Sequence, residues 1–318
     1  MIMISVAGLI ALILCLLFAI PYIDFMKKKA YSQYLREEVA QMHAYKEKTP
    51  TTGGVFIVLS IIIASLIALF MAQKTTTRAM IVIMTLIFYT FTGFEDDIKK
   101  IKAHQNLGLS ARAKLLLQIA VAMLPAFYII FSNQTQIDFL NFSFDLGLFY
   151  PVFVVFMMVG ASNALNLTDG LDGLAGSSSV IAFLACTIIC FLNNNIDLAI
   201  ISFATSMACL GFLYFNKKPA RVFMGDTGSL ALGGILAALA MVLKEEIALI
   251  FIAGVPVIET LCVLIQQISV RTFHKRVFIY TPIHYAFRIK GMREVNIVRM
   301  FWMAEALFAL IGLFIALA

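Results

Sequence analysis

Residues 152–192 read VFVVFMMVGASNALNLTDGLDGLAGSSSVIAFLACTIICFL. Two apolar runs flank a polar hinge, and each run approaches the roughly 20 residues that cross a hydrocarbon core. The hinge contains Asn163, Asn166, Asp169 and Asp172 and no Lys or Arg. Its two Asp-Gly pairs suit a turn. A connection whose only task is to reverse the chain needs neither two carboxylates nor two asparagines, so a ligand-facing reading stands beside the turn reading. Asp169 and Asp172, at i and i+3, would share a side if a helical turn carried them.

The rest of the chain continues the apolar pattern. Of 318 residues, 62% are hydrophobic and 13% charged, and mean hydropathy is +0.95, far from a soluble balance of roughly 25% charged. Ten windows are long enough to span, centred near Leu12, Ser65, Ile87, Ala122, Phe156, Ala185, Ala204, Leu236, Val257 and Leu307. These predict an all-α polytopic membrane protein of about ten helices, forming one domain over residues 1–318. Residues 1–20 lack a positive n-region and a small-residue cleavage site, and are read as the first span, not a signal peptide. Cys15, Cys186, Cys190, Cys209 and Cys262 all fall within spans, without a CxxC pair, and read as packing residues.

Charge sets the orientation. Of the 24 Lys and Arg, 21 lie on the odd-numbered connecting loops, as do His43, His104, His274 and His284. The positive-inside rule then puts the odd loops in the cytoplasm and both termini outside. The net charge of +6 follows from this asymmetry and from attraction to anionic head groups, and gives no reason to invoke nucleic acid.

Loop five, the hinge quoted above, is odd-numbered yet without a cation. The other odd loops supply what it lacks. Loop three carries TGFEDDIKK (92–100), where Glu95, Asp96 and Asp97 close an apolar span. Adjacent carboxylates suit a divalent cation such as Mg²⁺, or form a solvated helix end balanced by Lys99 and Lys100. Loop seven carries FMGDTGSLALGG (223–234), a turn opening a helix whose free N–H groups favour phosphate; an ordinary N-cap fits too. Loop nine carries TPIHYAFRIKG (281–291), with His284 beside Arg288 and Lys290. Gathered on one membrane face, acidic ligands, a phosphate-favouring helix start, cations and a histidine suit chemistry on a pyrophosphate. A nucleotide-linked donor from the cytoplasm and a lipid acceptor from the bilayer follow.

These motifs resemble those of the polyprenyl-phosphate N-acetylhexosamine-1-phosphate transferase superfamily, namely an Asp-Asp pair after the third span, an NxxNxxDGxDGLA loop and a GDTGS loop. Within it the chain is most similar to the bacterial phospho-N-acetylmuramoyl-pentapeptide transferases. That similarity rests on KTPTTGG (48–54), NLGLSARAKLLLQ (106–118), NLTDGLDGLAG (166–176), FNKKPARVFMGDTGSLALGG (215–234) and PIHYAFRIKGMREVNIVRMFW (282–302). The resemblance implies a ten-span fold with external termini in the bacterial inner membrane and an active site of cytoplasmic loops. It implies transfer of phospho-MurNAc-pentapeptide from UDP-MurNAc-pentapeptide to undecaprenyl phosphate, giving lipid I and UMP, with Mg²⁺ as cofactor.

The same resemblance distributes roles. Asp226 becomes a metal ligand with Asp97 nearby, and Asp96 the group that deprotonates or positions the lipid phosphate. Asn166, Asp169 and Asp172 enter the nucleotide and metal cleft. Asp172 and Phe223 hold uracil, with Asn216 beside them, and Lys48 and Lys114 either neutralise phosphate or serve only as topology markers. The family pattern in loop nine has three consecutive histidines, whereas this chain has His284, Tyr285 and Ala286, so only His284 takes over a role. A covalent aspartyl-phosphate route stays open. So does a sibling activity transferring N-acetylglucosamine-1-phosphate from UDP-GlcNAc. A transporter would place ionisable groups near the midplane, where only Glu259 and Glu305 fall. A homodimer is compatible with the sequence, which carries no direct signal of oligomeric state.

Overall fold

The computed structural model describes residues 1–28, 49–103, 108–132, 134–139 and 142–318. Helices run α1 Ile2–Lys28, α2 Gly54–Met71, α3 Thr77–Ala103, α4 Ala111–Phe131, α5 Tyr150–Thr168, α6 Leu174–Leu192, α7 Ile196–Asn216, α8 Gly225–Leu243, α9 Glu246–Ile252, α10 Gly254–Phe273, α11 Ile283–Ile289 and α12 Glu294–Leu317. Among the described residues ten of these are long and apolar enough to cross a membrane; only α9 and α11 are too short. Hydrocarbon offers backbone groups no water, so an apolar run of this length satisfies them internally as a helix. The expected all-α polytopic architecture is therefore present.

At the centre stands α8, buried along almost its whole length and packed by α2, α3 and α5. Lipid supplies no hydrophobic drive between helices, so close packing has to hold them together. The sequence of α8 meets that need with small residues. A Cβ on Gly228 would lie 2.9 Å from Gly54 Cα, and one on Gly54 only 2.1 Å from Gly228 N, so α2 and α8 cross backbone to backbone. The outer helices carry exposed Leu9 and Leu17 on α1 and Leu310 and Phe314 on α12, the composition of a lipid-facing surface.

Two features depart from the sequence reading. A short antiparallel hairpin, β1 Gln136–Phe139 and β2 Phe142–Asp145, occupies loop four, with Gln136 opposite Asp145. The ninth span, expected around Val257, is broken at Ala253 into α9 and α10. The break has a source in another helix. Glu305, fully buried on α12, accepts a hydrogen bond from the Val255 N–H through Oε2 at 2.7 Å, and Pro256, lacking an N–H, is tolerated in the first turn of α10. Gly254 lets Phe308 pack where a Cβ would come within 2.4 Å of its ring. The five cysteines are buried free thiols, as expected of packing residues.

Contacts join loops of like parity. Loops two and six meet where Arg78 grips Asp197, at 2.7 and 2.8 Å, with Thr76 also donating to that carboxylate. Loops four and eight meet where Lys244 donates to Gln134 O at 3.1 Å and to the hydroxyl of Tyr150 at 2.6 Å. The odd loops meet one another at the functional end.

Candidate active site

Asp96 and Asp97 lie on the last turns of α3. At 1.5 Å per residue they stand roughly 29 Å from its start, about the thickness of the hydrocarbon core, so α3 delivers both carboxyls to the membrane edge. Asp226 is the second residue of α8 and reaches the same point. Carboxylate oxygens of Asp96, Asp97 and Asp226 all lie within 4.8 Å of one another, and all three residues are buried. The approach of α3 to α8 depends on Gly93, where a Cβ would lie 2.1 Å from Asp226 O.

Asp97 orders the start of α8. Its Oδ1 accepts the Asp226 N–H at 3.1 Å, and its Oδ2 accepts the Thr227 N–H at 2.9 Å and the Thr227 hydroxyl at 2.6 Å. Two of the N–H groups that the sequence left free for phosphate are thus used internally. The backbone cradle gives way to an N-cap supplied by another helix, and cationic side chains are left to face a phosphate. Lys114, from the first turn of α4, forms a short ion pair with Asp226 Oδ2. Lys100 lies 3.0 Å from the same oxygen and 2.6 Å from Asp96 Oδ2. Asp96 Oδ1 accepts the Leu109 N–H at 2.8 Å, tying loop three around the cluster.

From α5, Asn166 donates to Asp226 Oδ1 and to Ser229 Oγ, both at 2.8 Å. Asn163, one turn earlier, pairs instead with Gln118 on α4, donating to Oε1 at 2.9 Å. Both asparagines belong to α5, which runs to Thr168; the connecting loop is only residues 169–173. The helical turn expected to align Asp169 with Asp172 does not form there. Asp169 terminates α5, Gly173 takes φ +85°, and the two carboxyls leave on a non-helical turn.

Asp172, Asn216 and Phe223 come together where loops five and seven meet. Asp172 Oδ2 accepts the Ala220 N–H at 3.1 Å. The Asn216 amide bridges the two loops, accepting from Gly173 N at 2.9 Å and donating to Val222 O at 2.8 Å. Phe223 is buried, with its backbone paired to the PTTGG segment (50–54) through Pro50 O and Gly53 N, each at 2.8 Å. Lys48 lies outside the described residues. His284, buried on α11, stands against Gly170 of loop five, so loop nine joins the same end.

A profile described as Glycosyl transferase family 4 matches residues 79–244, which hold Asp96, Asp97, Lys114, Asn166, Asp169, Asp172, Asn216, Phe223 and Asp226. Over nearly the whole chain, relatives are similar. The phospho-N-acetylmuramoyl-pentapeptide-transferase of Oceanobacillus iheyensis is 46% identical over 316 residues, covering 96% of this chain and 95% of that protein. The enzyme of the same name from Halalkalibacterium halodurans is 44% identical, covering 92% and 91%, and that from Bacillus subtilis 42% identical, covering 92% and 91%. The chain belongs to the phospho-N-acetylmuramoyl-pentapeptide-transferase family.

Three residues of this family member were not singled out for the site by sequence. By sequence Lys100 balances charge in loop three, yet it touches both Asp96 and Asp226. Glu294 opens α12, accepts the Asp172 N–H at 3.0 Å and pairs closely with Lys218; an acid in an otherwise basic stretch was its only signal. Glu259, a solitary carboxyl in an apolar span, fits a transport residue by sequence alone. It faces His284 instead, with Oε1 3.0 Å from Nδ1.

Proposed function

We propose that this chain transfers phospho-N-acetylmuramoyl-pentapeptide from UDP-MurNAc-pentapeptide to undecaprenyl phosphate. An oxygen of the lipid phosphate bonds to the phosphorus attached to the sugar, the pyrophosphate P–O bond to the uridylyl group breaks, and UMP leaves. The product is undecaprenyl-pyrophosphoryl-MurNAc-pentapeptide, lipid I. The observation that carries this reading is the convergence of Asp96, Asp97, Asp226, Lys100, Lys114 and Asn166 at one end of a ten-span bundle. The names of the relatives support the transferred group, phospho-N-acetylmuramoyl-pentapeptide.

The residues fit Mg²⁺. Three carboxyl groups outnumber the two ammonium groups beside them, and hard oxygens this close suit a cation of that size. Asp226 and Asp97 would hold it, and when bound it neutralises charge on the pyrophosphate and the departing UMP. The chain's own part is positioning. Asp97 fixes the first turn of α8 and so aims Asp226; Asn166 holds the other Asp226 oxygen; Lys100 and Lys114 stand where phosphate oxygens need cations. Asp96, held by Leu109 and Lys100, faces the acceptor phosphate and positions it or takes its proton.

Asp172, Asn216 and Phe223 frame the uridine end. Asp172 offers a carboxylate for the base, Phe223 a ring face, and Asn216 keeps the two loops at a fixed spacing. Asp169, at the end of α5, and Lys48 complete the donor side. The odd loops face the cytoplasm, the protein lies in the bacterial inner membrane, and residues 1–318 act as one transferase domain. The deciding experiment gives purified protein undecaprenyl phosphate with either UDP-MurNAc-pentapeptide or UDP-GlcNAc. Lipid I and UMP are expected from the first donor alone; a product from UDP-GlcNAc only would transfer the assignment to the sibling activity.

A further inference from the structure

The geometry points to Glu259 as a positioning residue that fixes the tautomer of His284 and thereby makes Nε2 a hydrogen-bond acceptor toward loop five. This rests on the transferase reading for the value of His284 but not for its tautomer. Glu259 on α10 has no exposed surface. Its Oε2 accepts the Ile283 N–H at 2.7 Å and its Oε1 the His284 N–H at 3.2 Å, so one carboxylate from another helix caps the start of α11. The same Oε1 lies 3.0 Å from His284 Nδ1. Both oxygens of this carboxyl group already accept backbone N–H groups, so Glu259 is the acceptor in the side-chain contact as well and Nδ1 the donor. The arrangement matches a ligand histidine whose far nitrogen is set by a carboxylate behind it.

Nε2 then carries the lone pair. It is buried with no hydrogen-bond partner among the described residues, an unusual condition for a polar atom inside a protein. Across from it is Gly170, where a Cβ would lie 2.2 Å from Nε2. Only the absence of a side chain there leaves that nitrogen room. Tyr285, the residue standing in the second histidine position, donates its hydroxyl to Gly170 O at 3.2 Å and holds the turn over the ring. In this tautomer Nε2 of His284 accepts from a hydroxyl or N–H group of the donor substrate.

The test reads the tautomer directly by nitrogen NMR of histidine-labelled protein in detergent, with His284 assigned by its loss in His284→Asn. Wild type is expected to show Nδ1 protonated and Nε2 bare, and Glu259→Gln to lose that preference. A wild-type Nε2–H tautomer, or an unchanged pattern in Glu259→Gln, overturns the proposal whatever the donor proves to be. In turnover assays Glu259→Gln should lower kcat by about tenfold or more, leave KM for undecaprenyl phosphate within twofold, and change kcat less than twofold when His284 is already alanine. Equal losses in both backgrounds would mean that Glu259 acts through folding alone and would also overturn it.

Discussion

Asp97 caps α8 with the same carboxylate proposed to help hold a cation, while Asp226 carries the charge left facing the cleft. Substituting the two should therefore fail differently. Asp226→Asn keeps size and loses charge, so turnover is expected to fall at least about a hundredfold at saturating Mg²⁺, with the melting temperature unchanged. Asp97→Ala strands the Asp226 and Thr227 N–H groups and should cost about 1–3 kcal/mol for each, read as a lower melting temperature together with lost activity. Loop nine shows what a single sequence conceals. Ala286 is buried, so Ala286→His, although it moves toward the three-histidine pattern, should overpack α11 and cost about 1–3 kcal/mol. The carboxyls of loops three and seven were legible because acids stand out in apolar surroundings. The partner of His284 was not, because a separation of 25 positions between Glu259 and His284 hides a contact made only by folding.

Elements repeat this division. All ten spans could be placed from apolar length alone, since a backbone in lipid has no alternative to a helix. The ninth contains the expected Val257 but starts only at Gly254, next to the Val255 N–H that Glu305, 50 residues beyond Val255, accepts. Some 11 residues into α12, Glu305 sits about 17 Å along the helix, near mid-bilayer. Glu305→Leu removes the acceptor for Val255 N–H and should lower stability by about 1–3 kcal/mol, whereas Glu305→Gln, which retains a carbonyl oxygen, should stay close to wild type in a thermal melt. The crossing of α2 and α8 tolerates less. Gly54→Leu forces side-chain atoms into the backbone of Gly228, and the expected result is little folded protein by size-exclusion chromatography.

For the whole molecule, charge parity in the sequence became spatial parity in the bundle: odd loops meet at one end, and even loops pair through Arg78–Asp197 and Lys244–Tyr150. Labelling with a membrane-impermeant maleimide should modify Asn194→Cys, on loop six, in intact cells and Lys99→Cys, at the loop-three end of α3, only after permeabilisation. The reverse pattern would invert the orientation. The layout also bears on how the protein is made. Chains enter the bilayer from the N-terminus at roughly 5–20 residues per second, and every residue gripping the start of α8 precedes it: Gly54, Asp97, Lys100, Lys114 and Asn166. When Asp226 leaves the translocon its lysines and asparagine have already been made, so its carboxylate meets its counter-charges at the membrane edge as it emerges. The Glu259–His284 pair arrives later, contained within the last quarter of the chain. Biogenesis thus completes the acidic cluster first and the histidine arm second, each from partners newly synthesised or already waiting.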